Sequence, residues 1–460
     1  MVKSEMLADV RKSKIGLLGV VALIYSYTSG GLFGLEDMIS SCGPGLAFLL
    51  IVLLPIFWAA PMSLVSAELT AMYPEDGGIY VWVTKAMGEF MGFLTGWWYS
   101  LCVLVDTAVY LVLISSYLQF VADKFGPEAR MALMLLIVIS VAVIHLRGTG
   151  AVSVSTMLFT VIVLSPFAIS TILGIGQWQV NPFEPFLAEG QTASESVAYG
   201  LMVGMWMYCG YEAIGSVAEE IEGAYHKIPK GLAVCLVITT LTYLIPTIIG
   251  YAAVGDWSSW AAESTTDETI NFVKMGFMIG GGALGTAFLI SAVFSSLICY
   301  NSYTGAGSRV PFAMARDNLF IKSISRVNRR WGTPHAAILS SSVITLCLSF
   351  FDFSFLVTTV MTLYLVSVIL FLVAVLVLRI TAPEVPRPYR IPLGTVGVGG
   401  LIALPIGLII WTLWTSDWQT LAAGMIGLAS WPVAYLIFKK IYGGRTEAAA
   451  DKSIKEENAS

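Results

Sequence analysis

The fold of this chain is set by a hydrophobic stretch that small residues interrupt, IYSYTSGGLFGLE at residues 24–36. A second interrupted stretch, WMYCGYE at residues 206–212, lies in the other half of the chain. In hydrocarbon a helix must satisfy its own backbone N–H and C=O groups, so an interrupted helix persists only where it lines a cavity inside protein. Two such interruptions at corresponding positions of two halves predict a binding cavity near the middle of a membrane.

The composition is that of a membrane protein. The chain has 460 residues, of which 57% are hydrophobic and only 12% are charged, and its mean hydropathy is +0.80. A soluble domain usually carries about 25% charged residues, which argues against a large soluble enzyme. The six cysteines lie mostly in predicted helices without CxxC spacing, so they are expected to be buried thiols.

Apolar runs recur along almost the whole length, and each is close to what a hydrocarbon core of about 30 Å requires. We predict twelve helices over residues 15–40, 45–72, 86–120, 131–147, 151–176, 195–220, 231–254, 274–306, 335–351, 353–379, 395–414 and 418–438. No cleavable signal peptide is expected, because the apolar segment after Lys14 is long and lacks a small-residue cleavage site.

The basic residues predict the orientation. With the N-terminus in the cytoplasm, all 25 Lys and Arg residues except Lys124, Arg130 and Lys274 fall on the cytoplasmic side, as the positive-inside rule requires. An even number of helices then places both termini in the cytoplasm. We expect the membrane to be the plasma membrane of the cell. Since topology accounts for the basic loops, no basic face remains for nucleic acid.

The chain is predicted to form one all-α integral membrane domain. Its predicted parts are a cytoplasmic tail at 1–14, a first five-helix repeat at 15–176, a second inverted five-helix repeat at 195–379, helices 11 and 12 at 395–438, and a disordered cytoplasmic tail at 445–460. Because five is odd, the repeats have opposite orientations, and the interrupted helices 1 and 6 correspond. Helices 11 and 12 lie outside the repeat and either stabilise the fold or form a dimer interface. The chain is therefore expected to be a monomer or a homodimer.

Motifs spread over nearly the whole chain carry a family resemblance. They are SGGLF at 29–33, Glu68 with YPEDGGIYVW at 73–82, YCGYE at 208–212, EEIE at 219–222 with IPK at 228–230, Arg309 with MARD at 314–317, and RPYRIP at 387–392. In these motifs the sequence resembles the amino acid–polyamine–organocation (APC) family. Within it, GLED at 34–37 and VDTAVY at 105–110 are similar to polyamine uptake transporters.

The resemblance implies a leucine-transporter-type fold and secondary transport by alternating access, as a symporter or antiporter without a cofactor. The residues themselves argue against two other classes. A membrane enzyme would need a catalytic cluster, and the chain has three histidines and no catalytic signature. A channel would not need two paired interruptions of helices.

Asp106 stands near the middle of predicted helix 3. An acid at that depth costs about 2.5–3.5 kcal/mol even on a lenient insertion scale, and such acids face an interior or an aqueous path. No Lys or Arg lies at comparable depth, so the expected partner is a proton, a bound cation or a substrate amine; a protonated, structural Asp106 stays open. Tyr110 lies one turn later and shares that face.

The resemblance also implies roles for the two interruptions. In the family, the positions of Ser29, Gly30 and Gly31 hold the α-carboxylate of the substrate. In the arginine/agmatine exchanger branch, which helix 6 resembles, an aromatic residue at the position of Trp206 covers the substrate and an acid at that of Glu212 responds to protons. Tyr208 and Gly210 belong to the same motif. Helix packing and a backbone hydrogen bond are the structural alternatives.

The coupling ion stays open between H+ and Na+. Glu36, Asp106 and Glu212 are the acids that could bind protons or amines, and either Glu36 or its neighbour Asp37 faces the cavity. Sodium-coupled relatives hold the ion with two helix 8 hydroxyls, for which Ser295 and Ser296 are the candidates. Helix 5 lacks the lysine that fills this ion site in many other relatives. Glu68 is expected to be structural.

The acids favour a polyamine or another cationic amine, such as putrescine, as the substrate. A ligand with two amines needs two subsites, for example Asp106 at one end and Trp206 with Glu212 at the other. A neutral amino-acid permease, or an amino-acid/amine exchanger, is the alternative within the same family.

Overall fold

The computed structural model of the chain is all-α. It describes residues 14–29, 31–121, 127–190, 192–261, 269–328, 330–351, 353–415 and 418–443. The α-helices are α1 (Leu17–Thr28), α2 (Glu36–Cys42), α3 (Pro44–Leu54), α4 (Ala60–Met72), α5 (Ile79–Met87), α6 (Glu89–Val121), α7 (Pro127–Leu146), α8 (Thr149–Gly174), α9 (Ala193–Met207), α10 (Ala224–Val254), α11 (Phe272–Arg316), α12 (His335–Leu348), α13 (Phe353–Thr381), α14 (Thr395–Thr415), α15 (Trp418–Ala429) and α16 (Trp431–Phe438). Over these residues, β-structure is limited to one isolated bridge between Trp260 and Ile270.

Eight helical segments among the described residues are long and apolar enough to cross a membrane. They are Pro44–Met72, Glu89–Ile114, Thr149–Gln177, Ala224–Val254, Phe272–Arg316, Phe355–Thr381, Thr395–Thr415 and Leu421–Tyr442. The other four of the twelve predicted helices coincide with shorter ones, α1, α7, α9 and α12. Length and composition thus identify eight candidate spans among the described residues. The interruptions shorten two of the other four predicted helices, the first and the sixth.

The first interruption separates α1 from α2. Gly31 and Gly34 have φ of 134° and 109°, a region that residues with a side chain rarely enter. The chain's own groups satisfy the irregular backbone: the Gly31 N–H donates to Ser29 Oγ at 3.2 Å, and the Gly34 N–H donates to Glu36 Oε2 at 2.7 Å. The segment therefore keeps a defined shape inside the protein.

The second interruption follows α9 and leads into a 3-10 helix at Ala213–Glu220. Three tyrosine hydroxyls hold the backbone here and at the end of α1. Tyr243 donates to the Met207 carbonyl at 2.9 Å, Tyr303 donates to the Tyr27 carbonyl at 2.8 Å, and Tyr364 accepts the Gly210 N–H at 3.2 Å. The two interruptions meet where the Tyr27 carbonyl approaches Gly210.

Replacing Gly210 with alanine should destabilise this meeting point. The φ of Gly210 is 88°, and an added side-chain carbon would lie 2.2 Å from the Tyr27 carbonyl oxygen. Gly88 provides the control, because its φ is 87° and no atom lies within 4 Å of an added carbon. We expect Gly210→Ala to cost about 1–3 kcal/mol more than Gly88→Ala, since only the former overpacks. Equal melting temperatures of the two purified variants would contradict this.

Long continuous helices surround the interruptions. α6 packs along both α11 and α13, while α8 packs against α11 and α1. α6 runs unbroken through Asp106, as predicted for helix 3. This scaffold places one acid of helix 3 opposite the second interruption.

Two buried ion pairs join distant helices. Arg379 of α13 donates from Nε and Nη2 to both oxygens of Glu68 of α4, at 2.9 and 2.6 Å, and both side chains are nearly inaccessible to solvent. Arg387 approaches the same carboxylate at 3.5 Å. Glu68 therefore ties α4 to the end of α13 and to the loop that follows.

The second buried pair joins Arg309 of α11 to Glu220, with Nε and Oε1 2.8 Å apart. The Thr149 hydroxyl also donates to Glu220. Asp76 lies close by in the loop between α4 and α5, where it accepts the Glu219 N–H at 3.1 Å. Burial, reinforced by the charges of Glu220 and Glu219, raises the pKa of the Asp76 carboxyl well above its usual value.

Candidate functional site

A cavity of the described structure lies between the two interruptions and the scaffold helices. Its volume is ≈ 220 Å³. The lining residues are Tyr27, Thr28, Ser29, Gly31, Phe33, Gly34, Asp37, Tyr110, Leu113, Tyr199, Met202, Val203, Trp206, Met207, Cys209, Tyr243, Ser295, Ser296, Cys299, Tyr303, Val357, Thr358, Met361, Thr362, Leu365, Thr412, Leu413 and Leu421. We call this space the main cavity.

A second, much smaller space of ≈ 10 Å³ adjoins the main cavity. Its lining residues are Tyr99, Cys102, Val103, Asp106, Trp206, Cys209, Glu212, Tyr303, Val360, Met361 and Tyr364. We call it the inner cavity. This volume is at the lower limit for holding one water molecule. Trp206, Cys209, Tyr303 and Met361 line both spaces, so these four residues form the shared wall.

Asp106 lines the inner cavity rather than the main one. Its side chain is 4% exposed, and its Oδ1 has no hydrogen-bond partner among the described residues. A buried carboxylate oxygen without a partner costs free energy, and it is therefore the atom in this region best suited to accept a donor from a ligand.

Glu212 lines the same inner cavity and is fully buried. Tyr99 donates to its Oε1 at 2.9 Å and Tyr364 donates to its Oε2 at 3.2 Å. Two carboxyl groups thus face a space of water-molecule size. Of the described residues that line either cavity, none is a lysine, arginine or histidine. The site is electrostatically suited to a cation or a proton.

Trp206 is half-buried and lies in the shared wall. A side-chain carbon on Gly34 would lie 3.0 Å from Trp206 Cζ3, so the absence of a side chain at Gly34 lets the ring approach the first interruption. A desolvated cation over a tryptophan face gains about 2 kcal/mol. The predicted aromatic cover is thus placed beside the acids of the inner cavity.

The neighbouring acids Glu36 and Asp37 have different environments. Glu36 is 1% exposed and accepts the N–H groups of Gly34 and Phe272 at 2.7 and 3.3 Å. Asp37 is half-buried and lines the main cavity. Glu36 therefore stabilises the backbone of the interruption, and Asp37 is the acid that faces the cavity.

The remaining predicted residues divide into three groups. Ser29, Gly31, Tyr110, Ser295 and Ser296 line the main cavity. Gly30 lies outside the described residues. Tyr208 and Gly210 line neither cavity.

Tyr208 and Gly210 make contacts that stabilise the fold. The Tyr208 hydroxyl donates to the Ile51 carbonyl at 3.0 Å, and Gly210 gives room to the Tyr27 carbonyl. Asp106 and Glu212, which the sequence analysis assigns to the two ends of a two-amine ligand, line the same inner cavity.

Three tyrosines that line the inner cavity, Tyr99, Tyr303 and Tyr364, were not predicted from the sequence. Tyr99 was predictable, since it precedes Asp106 by two helical turns on α6 and therefore shares its face. Tyr303 and Tyr364 had none, because they reach the site through tertiary packing. The ring of Tyr303 stacks on Tyr110 with centroids 5.7 Å apart.

The sequence of this chain is similar to those of known proteins. A family described as amino acid permease matches residues 15–431. A protein of Arabidopsis thaliana named as a probable polyamine transporter is 30% identical, over 86% of this chain and 78% of its own. The polyamine transporter RMV1 of Arabidopsis thaliana is 29% identical, over 93% and 86%. The branched-chain amino acid permease BcaP of Bacillus subtilis is 24% identical, over 92% and 91%.

Proposed function

The chain belongs to the amino acid permease family of membrane transporters and is not an enzyme, and from this premise we propose that it carries polyamines or other cationic amines across the cell membrane. The observation that carries the proposal is the inner cavity. Two carboxyl groups, Asp106 and Glu212, share it with each other and with no basic side chain of the described structure. An ammonium group supplies the missing positive charge and donates to the open Oδ1 of Asp106.

The backbone of the first interruption also favours an amine over an α-amino acid. An α-carboxylate needs free N–H donors, and two N–H groups of this segment are already bonded, since the Gly31 N–H donates to Ser29 and the Gly34 N–H donates to Glu36. The names of the relatives support both substrate classes, since they include polyamine transporters and an amino acid permease.

The proposed mechanism is alternating access in a fold of twelve helices with two inverted five-helix repeats. Helices 1, 2, 6 and 7 would rock against helices 3, 4, 8 and 9 around the two cavities. The packing supports this division, because Asp106 lies on unbroken α6 while residues of both interruptions line the main cavity. With both termini in the cytoplasm, Asp37 and Tyr199 would lie near the outer ends of helices 1 and 6, and the main cavity that they line would face the outer side.

The coupling ion is proposed to be H+ bound to the acids or Na+ bound by Ser295 and Ser296. Both serines line the main cavity near Ser29 and Gly31. Uptake measured with each ion gradient separately distinguishes the two. Neither gradient would be needed for exchange, which requires an amine on the opposite side.

Uptake by the purified protein in liposomes tests the proposed substrate. We expect saturable putrescine uptake. Spermidine should inhibit this uptake by competition, and alanine and glutamate should not. Stimulation by unlabelled putrescine inside the liposomes would identify a carrier, because a channel shows no counterflow. Competition by neutral amino acids alone would reject the amine and favour the amino-acid permease.

A further inference from the structure

The main cavity contains one acid that the proposed function leaves without a role. Asp37 is the single Asp or Glu among the described residues that line this cavity. We propose that Asp37 binds a second ammonium group, so that the ligand is a diamine or longer polyamine held by an acid at each end. This inference rests on the proposed function, in which the first ammonium group binds Asp106.

The position of Asp37 fits a second subsite. It lies in the first turn of α2, directly after the first interruption, and the adjacent Glu36 turns into the protein to hold the backbone. Asp37 remains half-buried at the cavity wall. A half-buried carboxylate can bind an ammonium group with a smaller loss of hydration than a fully buried one.

The surface between the two acids fits a methylene chain. Asp106 and Asp37 line two neighbouring cavities, which have Trp206, Cys209, Tyr303 and Met361 as common lining residues. The main cavity then continues past apolar side chains such as Phe33, Met202 and Val203. A ligand with apolar methylenes between two cationic ends matches this sequence of surfaces, since its charges meet the acids and its carbon chain meets the apolar wall.

Two acids at fixed positions make chain length a basis for selection. A monoamine satisfies Asp106 alone, and a diamine of the wrong length cannot reach both acids in a relaxed conformation. A ligand that does reach both gains from the second site without a second loss of overall motion. We therefore expect discrimination between amines of equal length and different charge.

The test compares putrescine with butylamine, which has the same carbon chain and one amino group. In the wild-type protein we expect putrescine to compete for uptake at about tenfold lower concentration than butylamine. Asp37→Asn should weaken putrescine by about tenfold and change butylamine by less than about twofold. Asp37→Glu keeps the charge and should retain the discrimination. The control is Asp256→Asn, the same change at an exposed residue outside both cavities.

The outcomes separate this inference from the proposed function. If the wild-type protein transports no amine, the proposed function fails. If amines are transported and depend on Asp106, but Asp37→Asn weakens putrescine and butylamine equally or leaves both unchanged, only the second subsite is rejected. A series from 1,3-diaminopropane to cadaverine provides an independent readout, because Asp37→Asn should flatten the dependence on chain length.

Discussion

Asp106→Asn is expected to lower putrescine uptake by about 30-fold or more. Losing one partner of a buried, hydrogen-bonded charge pair costs about 2–5 kcal/mol, and each 1.4 kcal/mol is about a factor of ten. The amide is close in size to the carboxyl group, so the inner cavity keeps its shape while its charge changes. Uptake of labelled putrescine into liposomes at matched protein content measures the effect.

The stability of the same variant should move in the opposite direction. Since Oδ1 of Asp106 has no partner among the described residues, removing the acid should leave the melting temperature unchanged or raise it. Putrescine should stabilise the wild-type protein against heat and fail to stabilise Asp106→Asn, because only a bound ligand shifts unfolding by mass action. Asp256→Asn serves as the control in both assays. Normal uptake by Asp106→Asn would remove Asp106 from the site.

Glu68→Gln is expected to lower the free energy of unfolding by about 3–5 kcal/mol. Removing one partner of a buried ion pair leaves the other charge uncompensated, and here Arg379 would lose one of two hydrogen bonds and keep the other only to a neutral amide oxygen. Glu68 also accepts the Ile391 N–H at 2.8 Å, so the loop after α13 would lose an anchor. The melting temperature of the detergent-solubilised protein measures the loss.

The exposed pair of Glu89 and Lys439 supplies the matched control. Its atoms are 3.2 Å apart, but both side chains are more than half exposed. Surface pairs contribute about 0–1 kcal/mol, so Glu89→Gln should change the melting temperature little. Equal effects of Glu68→Gln and Glu89→Gln would show that burial of the Glu68 pair does not determine its contribution.

The two interruptions were predictable because their signals are local. Glycines in an apolar stretch followed by an acid mark a broken helix, and the structure has α1 ending at Thr28 and α2 beginning at Glu36. The position of Asp106 inside the protein was also predictable, since an acid at mid-membrane depth is costly and normally faces the interior. Both inferences depend on residue type and depth, which the sequence contains.

The side on which an acid faces was not predictable. Glu36 and Asp37 are adjacent, and one residue turns a helix by about 100°, so an error of one residue in the helix start exchanges their roles. The partners of the acids are remote as well. Tyr364 is 152 residues from Glu212, and Arg379 is 311 residues from Glu68. Such contacts come from tertiary packing, and no periodicity along the chain indicates them.

The irregular backbone at both interruptions is held by side chains of the protein itself. Ser29, Glu36, Tyr243, Tyr303 and Tyr364 provide the hydrogen bonds that a regular helix would have made internally. A loop that must become ordered on binding lowers affinity by the entropy of that ordering. Here the walls are pre-organised, so in the proposed alternating-access mechanism the ligand's interaction energy would remain available to distinguish the outward-facing from the inward-facing conformation.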